Sequence, residues 1–589
     1  MRPEENENGK ERGIVKVSSS SSPCSTASSS TFEAFALTCE AISSTRSKLK
    51  KIEVLSNYLR QLQSEQDLQT AVTFLSGRIF PVGAEEGEVN VGYSTIWRAL
   101  EETFGKSQDD LSSYYLRHGD LGSVAEEAFE RSSPQQRRFL LSSFNSSNSE
   151  KQLTLNEVVS SFREIARAKG KGSIERKILT LEALLARLKV PVEAKYLIRV
   201  LTSEMRIGLV EGLVEESIAK AFGKTLEEVR SANLVSGNIA LVSTLAKRGE
   251  LHLAKIEPLK PTNFMLADSA QDPQELFQKF DSMPVFSEFK YDGIRAQLHK
   301  RSCIIKIFSR NLEEVGNFFP ELVSSASKLE QEDLILDGEI VPFRDGKPLS
   351  FQLLQRRLRK KERSVEDVPL MYFAFDLLFK NSVSFIERPL EERVMALESL
   401  KLEQPLTFSS RRLVNRIEEI SEMFSESKSQ GYEGLVVKDP NSSYTPGRRG
   451  RSWVKLKKEL DTLDVVIVAA EYGHGKRAGV ISDYTFAVRD GSDLKVIGKA
   501  YSGLTDLEIR EMTDLLKSIT EIDQGYRRIV KPKIVLEVAF DAIQKSERHD
   551  SGFALRFPRI KRIRWDKSPN EIDTLDKVRQ IYESQRVRA

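Results

Sequence analysis

The spacing of apolar residues changes twice along the chain, and the changes divide it. From Phe32 to about Lys255 the period is that of a helix. In SIERKILTLEALLARLKV, residues Ile174, Ile178, Leu181, Leu185 and Leu188 stand at i, i+4, i+7, i+11 and i+14, one face of a helix. Pro191 suits the first position of the next helix, and Gly208 suits a stop. From Pro258 to about Leu460, short apolar or alternating runs (SEFKYDG, CIIKIFSR, LILDGEIV, MYFAFDLLF, EGLVVK) mix with helical stretches, an α+β texture. From Asp461 onward strands dominate: LDVVIVAAEY, DYTFAVRD, LKVIGKAY and KIVLEVAF. Asp490-Gly491 separates two of them as a hairpin turn, and a small β-barrel is expected. The stretch SSSSSPCSTASSS has almost nothing to bury and reads as disordered. The predicted fold is multidomain: a Ser-rich tail at 1–31, an all-α domain at 32–255, an α+β domain at 256–460 and a β-barrel domain at 461–589.

Composition narrows the function classes. A chain of 589 residues that is 40% hydrophobic can fill several cores. Net charge is only +3, so any nucleic-acid surface must come from local clustering. Three cysteines form no CxxC and cannot make a four-cysteine zinc site; a reducing, intracellular compartment is the simplest reading. No apolar run reaches membrane-spanning length, and MRPEENENGKER is not a secretory signal.

The candidate chemistry centres on EFKYDGIR, residues 288–295. Alternation puts Phe289 and Tyr291 on one face and Glu288, Lys290 and Asp292 on the other. Gly293 permits a positive φ or a close backbone approach. Alone this is compatible with an ordinary strand end carrying a salt bridge. Downstream, however, come FSRN at 308–311, LDGE at 336–339, FAFD at 373–376, EGLVVK at 433–438 and WVKLKK at 453–458, each placing charge on or beside an apolar strand.

In order and spacing these segments resemble the signature of covalent nucleotidyltransferases: DNA ligases, RNA ligases and mRNA capping enzymes. In such enzymes a lysine amine attacks the α-phosphorus of a nucleotide. Free lysine, with a pKa of about 10.4, is neutral at pH 7 in roughly 0.04% of molecules. Neighbouring cations and burial are expected to lower that value, with Arg295, Lys438 and Lys455 as candidates.

Nearly the whole chain from Phe32 resembles an ATP-dependent DNA ligase of the archaeal and eukaryotic replicative type. The resemblance implies that Lys290 is the adenylated nucleophile and that Glu288 contacts adenine through backbone and side chain. Arg295 and Arg310 then meet ribose and phosphates, and Glu339 the ribose. Either Phe373 or Phe375 stacks on the base, with Phe375 favoured. Lys438, Lys455 and Arg449 hold the α-phosphate region. Glu433, together with Glu339, binds Mg²⁺ or another divalent metal. RFPRIKRIRWDK supplies Arg564, Asp566 and Lys567 to orient pyrophosphate. KKELDTLD, with Asp461 near its centre, is the expected hinge of a rotating OB-type barrel.

Two basic stretches favour nicked double-stranded DNA as the substrate. Residues 163–208 hold 11 Lys/Arg against 5 Asp/Glu, and residues 527–567 hold 12 against 5. The first ends in MRIGLVEGLV, which resembles the loop of ligase DNA-binding domains that touches the minor groove and implicates Arg206 and Gly208. The second suits an OB-type barrel that tracks a nucleic-acid backbone. The alternatives are an RNA-joining or capping enzyme, or an inactive DNA-binding scaffold. The resemblance further implies a monomer in the cytoplasm and nucleoid, or in the nucleus of a eukaryote. It also suggests a sliding-clamp peptide at Gln136, Phe139 and Leu140, a segment that reads equally as the apolar face of a helix.

Overall fold

The computed structural model describes residues 29–84, 89–135, 137, 151–280, 283–359, 368–447, 449–457, 461–473, 477 and 479–587. The tail to residue 28 and the Gln136, Phe139 and Leu140 peptide lie outside the described residues.

Helices alone, from Phe32–Ser43 to Ile239–Arg248, build the N-terminal region among the described residues, around one continuous core. Their starts are written locally: Thr154 with Glu157 and Thr225 with Glu228 form reciprocal capping boxes. The helix Ser173–Arg187 buries Ile178, Leu181 and Leu185, and Leu188 is buried just beyond its end. Ile174 departs from the pattern. It sits in the first turn, where the helix overhangs its neighbours, and is 63% exposed. Pro191 opens the helix Pro191–Leu201 as expected. Gly208 is not its stop: the helix closes on Thr202, and Gly208 lies in the loop that follows.

The middle region is built on two sheets. One runs Leu266–Ala270, Arg449–Lys457, Gly434–Lys438, Val285–Lys290, Arg411–Val414 in space. The other centres on Ile294–Arg301, Asp333–Arg344 and Leu370–Lys380. The chain leaves the first sheet at Lys290 and enters the second at Ile294. Gly293 makes that crossing by close approach, not by a positive φ. A Cβ there would lie 2.2 Å from the Ile340 carbonyl oxygen and 2.8 Å from Glu339 Cγ.

The C-terminal region is a curled seven-stranded sheet. Its long strand Asp461–Tyr472 pairs with Ile481–Asp490, Arg527–Val530 and Val535–Phe540. Among the described residues these pairings leave a half-barrel, not a closed ring, because no ladder joins its outer strands. Asp490-Gly491 turns the expected hairpin. The helices Asp506–Ser518 and Leu575–Val587 depart from the strand-dominated expectation, and their apolar faces cover the sheet. Asp461, expected near the centre of the hinge, is a paired strand residue opposite Phe540, and residues 458–460 of that segment lie outside the described residues. No helix among the described residues is long and apolar enough to cross a membrane.

Candidate active site

Lys290 ends its strand at the seam between the two middle sheets, in a cavity of about 240 Å³. Strand pairing sets its neighbour. Gly434 lies opposite Lys290, which brings Glu433 alongside: its N–H donates to the Lys290 carbonyl at 3.0 Å, and its carboxylate pairs with the ammonium. Gly434 is required there. Its φ is +144°, and a Cβ would lie 2.0 Å from the Leu456 carbonyl oxygen.

The charge state of Lys290 corrects the sequence reading. Burial pulls its pKa down, but the carboxylates of Glu433, Glu339 and Asp292 outweigh burial and hold it above the ordinary value. Of the expected cations, Arg295 is forked onto Asp337 at 2.7 and 3.1 Å and Lys438 is bonded to Glu288 at 2.8 Å, while Lys455 lines the same cavity. The amine is therefore held protonated beside the Glu433 carboxylate. Burial pushes Glu339 up to about 8 and, with Glu433 beside it, Asp292 up to about 6.

The cavity is also lined by Glu288, Arg295, Arg310, Glu339, Phe375, Lys438 and Lys455, all expected from the motifs. Phe375 reaches it, whereas Phe373 is stacked on Tyr291 at 4.2 Å between ring centres. Trp453 forms another wall; its indole N–H has no partner among the described residues. Arg449 opens the strand Arg449–Lys457, and its side chain lies outside the described residues. The Glu288 side chain is committed elsewhere: its carboxylate accepts from Arg411 at 2.7 Å, Lys438 at 2.8 Å and Ser409 at 3.3 Å. The carboxylate expected to contact adenine is thus engaged by three protein donors.

Three predicted residues are not brought to the cavity. Arg564 and Lys567 are bonded to Asp464 at 3.0 and 2.6 Å, and Asp566 to Arg564, all within the C-terminal sheet. The C-terminal region instead presents Arg556, from its small two-stranded sheet and 3.7 Å from Asp292, and Asp541, 3.8 Å from Lys457. Arg206 and Gly208 stand far along the chain on the helical region. Arg206 pairs with Glu204 and donates to the Gly119 carbonyl. The Tyr526 ring of the C-terminal sheet packs on Gly119, so the two outer regions meet there.

Sequence reasoning placed Asp292 on the Lys290 face without giving it a role, and missed Arg411, Asp337, Lys457 and Arg556. Asp337 had a signal, two residues before Glu339 on the same strand face. Arg411 had none, since it lies in no motif and meets Glu288 only through strand pairing.

Comparison with known proteins matches all three regions. The ATP dependent DNA ligase domain family matches residues 264–457, the DNA ligase N terminus family 31–219, and the ATP dependent DNA ligase C terminal region family 477–567. A probable DNA ligase of Koribacter versatilis is 44% identical over 577 residues, 93% of this chain and 96% of its own. The chain belongs to the ATP-dependent DNA ligases. The DNA ligase of Archaeoglobus fulgidus is 35% identical across 94% of this chain and 99% of its own. The solved structure Pmar-Lig_PreS3 overlaps 90% of this chain and 99% of its own with a TM-score of 0.55 at 16% identity, a likeness of fold alone. An ATP-dependent DNA ligase seals nicks in DNA, and these likenesses do not favour the RNA-joining or capping alternative.

Proposed function

We propose that Lys290 is the residue that carries AMP. The observation behind this reading is its Nζ, held in a cavity at the seam of the two sheets and paired with Glu433. Nζ gives up a proton, with Glu433 in contact to receive it, and attacks the α-phosphorus of ATP. A P–N bond forms, and the bond to the pyrophosphate breaks. The AMP then passes to the 5′-phosphate of a nick, freeing the lysine. Finally the 3′-hydroxyl attacks that phosphate and AMP leaves.

Phe375 and Trp453 supply aromatic walls for adenine, and the Glu288 backbone its edge. Glu339, pushed up to about 8, is protonated at neutral pH and donates to a ribose hydroxyl. Arg295, Arg310, Lys438, Lys455 and Arg449 face ribose and phosphates. Mg²⁺ would be held by the Glu433 carboxylate, whose pKa is held below the ordinary value, and by Glu339 once the cation displaces its proton, since hard cations take oxygen ligands; when bound it would offset charge on the departing pyrophosphate. Arg564, Asp566 and Lys567 serve the pyrophosphate only after the C-terminal domain, read as OB-type, turns toward the cavity. The boundaries at 255/256 and 460/461 are the joints of that movement. Arg206 and Gly208 contact DNA, the chain acts as an intracellular monomer, and Gln136, Phe139 and Leu140 dock a sliding clamp.

Incubation with α-labelled ATP and Mg²⁺ tests the central claim. The wild type should acquire an acid-labile, alkali-stable label. Lys290→Ala should acquire none and should still seal a pre-adenylated nick. A labelled Ala variant removes Lys290 from the mechanism.

A further inference from the structure

The loop from Ser203 to Leu209 is held in an unusual backbone path. Ser203, Arg206 and Gly208 all take positive φ, at 56°, 50° and 61°. Beneath it lies Lys51, on the helix Lys48–Gln61, only 7% exposed. Its ammonium donates to the Ile207 carbonyl at 2.6 Å and the Gly208 carbonyl at 3.0 Å. Gly208 is what admits it, since a Cβ there would lie 2.8 Å from Lys51 Nζ.

A trans peptide points its N–H opposite its C=O. With the carbonyls of Ile207 and Gly208 drawn inward, the N–H groups of Gly208 and Leu209 face away from Lys51. Among the described residues neither donates to a protein acceptor, and Gly208 is exposed. Adjacent amides presented from such a turn form an anion-binding concavity, and backbone N–H groups are common phosphate donors.

We propose that Lys51 is a positioning residue for nick binding: a buried cation that turns the Gly208 and Leu209 amides outward toward a DNA phosphate. It does so without touching DNA itself. This rests on the reading of the Arg206–Gly208 loop as a DNA contact. An ammonium bonded to two carbonyls organises the loop before DNA arrives, which reduces the ordering cost of binding.

The test is nicked-duplex affinity across a salt series for wild type, Lys51→Met and Arg206→Ala. Lys51→Met should bind about five- to tenfold more weakly at every salt concentration, the cost of ordering a short loop. Its salt slope should equal that of the wild type, because no phosphate contact is lost. Arg206→Ala should flatten the slope by about one unit. If Arg206→Ala changes neither affinity nor slope, the DNA reading of the loop fails. If Arg206→Ala behaves as expected while Lys51→Met binds like wild type, or itself flattens the slope, the positioning role alone is overturned. Melting and self-adenylation establish that Lys51→Met is folded. If it is not, hydrogen exchange on the wild type decides: a nicked duplex should slow exchange at Gly208 and Leu209, and unchanged exchange refutes the proposal.

Discussion

Replacing Glu288 with Gln exchanges one oxygen for an amide NH₂ and removes the anion between two buried cations. The side chains of Glu288, Arg411 and Lys438 are 3%, 7% and 2% exposed. Breaking a buried pair costs about 3–5 kcal/mol because the remaining charge loses its counterion; Arg411 keeps only the exposed Glu398, 3.5 Å away, among the described residues. Arg411 cannot lose its proton. Lys438 can: burial already holds its pKa below the ordinary value, and loss of the Glu288 carboxylate lowers it further, which limits the cost. The expected loss is about 3 kcal/mol at pH 7. At roughly 2–4 °C per kcal/mol for a unit of this size, the thermal midpoint falls by about 6–12 °C.

The pH dependence carries its own sign. Burial pushes the Glu288 carboxyl up, but Arg411 and Lys438 outweigh burial and hold it below the ordinary value. Its contribution is therefore present above the unfolded value of about 4.3 and is lost as pH falls through the folded one. Gln contributes at no pH. The gap between wild type and variant should be full at pH 7 and close below about pH 4. Arg411 also donates to the Phe375 carbonyl, so disordering it should raise the KM for ATP in self-adenylation more than it lowers kcat. Calorimetry from pH 7 down to about pH 2, with labelled-ATP kinetics, measures both. A midpoint shift under about 2 °C at pH 7, or an equal gap at both ends of the range, refutes the argument.

Gly293→Ala should destabilise by about 3 kcal/mol and abolish self-adenylation, because its Cβ meets the Ile340 carbonyl at the sheet crossing; an Ala variant that labels normally contradicts this. Glu339→Gln should lose ATP labelling yet resist alkali better. The raised carboxyl makes wild-type stability fall as pH climbs from about 4.3 towards about 8, and Gln has no proton to lose, so melting curves above pH 8 should favour the variant. Replacing Phe139 and Leu140 together with Ala should remove clamp stimulation of sealing and spare clamp-free sealing; collapse of both places the pair in a core.

Residue spacing marked the helical, mixed and strand-rich stretches and the strand that ends at Lys290. Ser173–Arg187, the strand ending at Lys290 and the Asp490-Gly491 hairpin follow from local alternation and turn chemistry. The choice of Phe375 over Phe373 for the cavity was open in the sequence; both belong to the strand Leu370–Lys380, and the cavity distinguishes them. What the sequence could not contain is who faces whom across strands. The Glu288–Arg411 and Lys290–Glu433 pairs come from ladder register between distant segments, which no local period encodes. The charge of Lys290 was misread for the same reason: its neighbours were taken from the motifs, and folding had already given those cations to Asp337 and Glu288. Gly208 looked like a stop because glycine is common at helix ends; the structure gives it a left-handed conformation in a loop, with Lys51 packed beneath it from another helix. Local periodicity determines which elements form. Burial and pairing, which act through space at low dielectric, decide the protonation and partners of the groups that do chemistry.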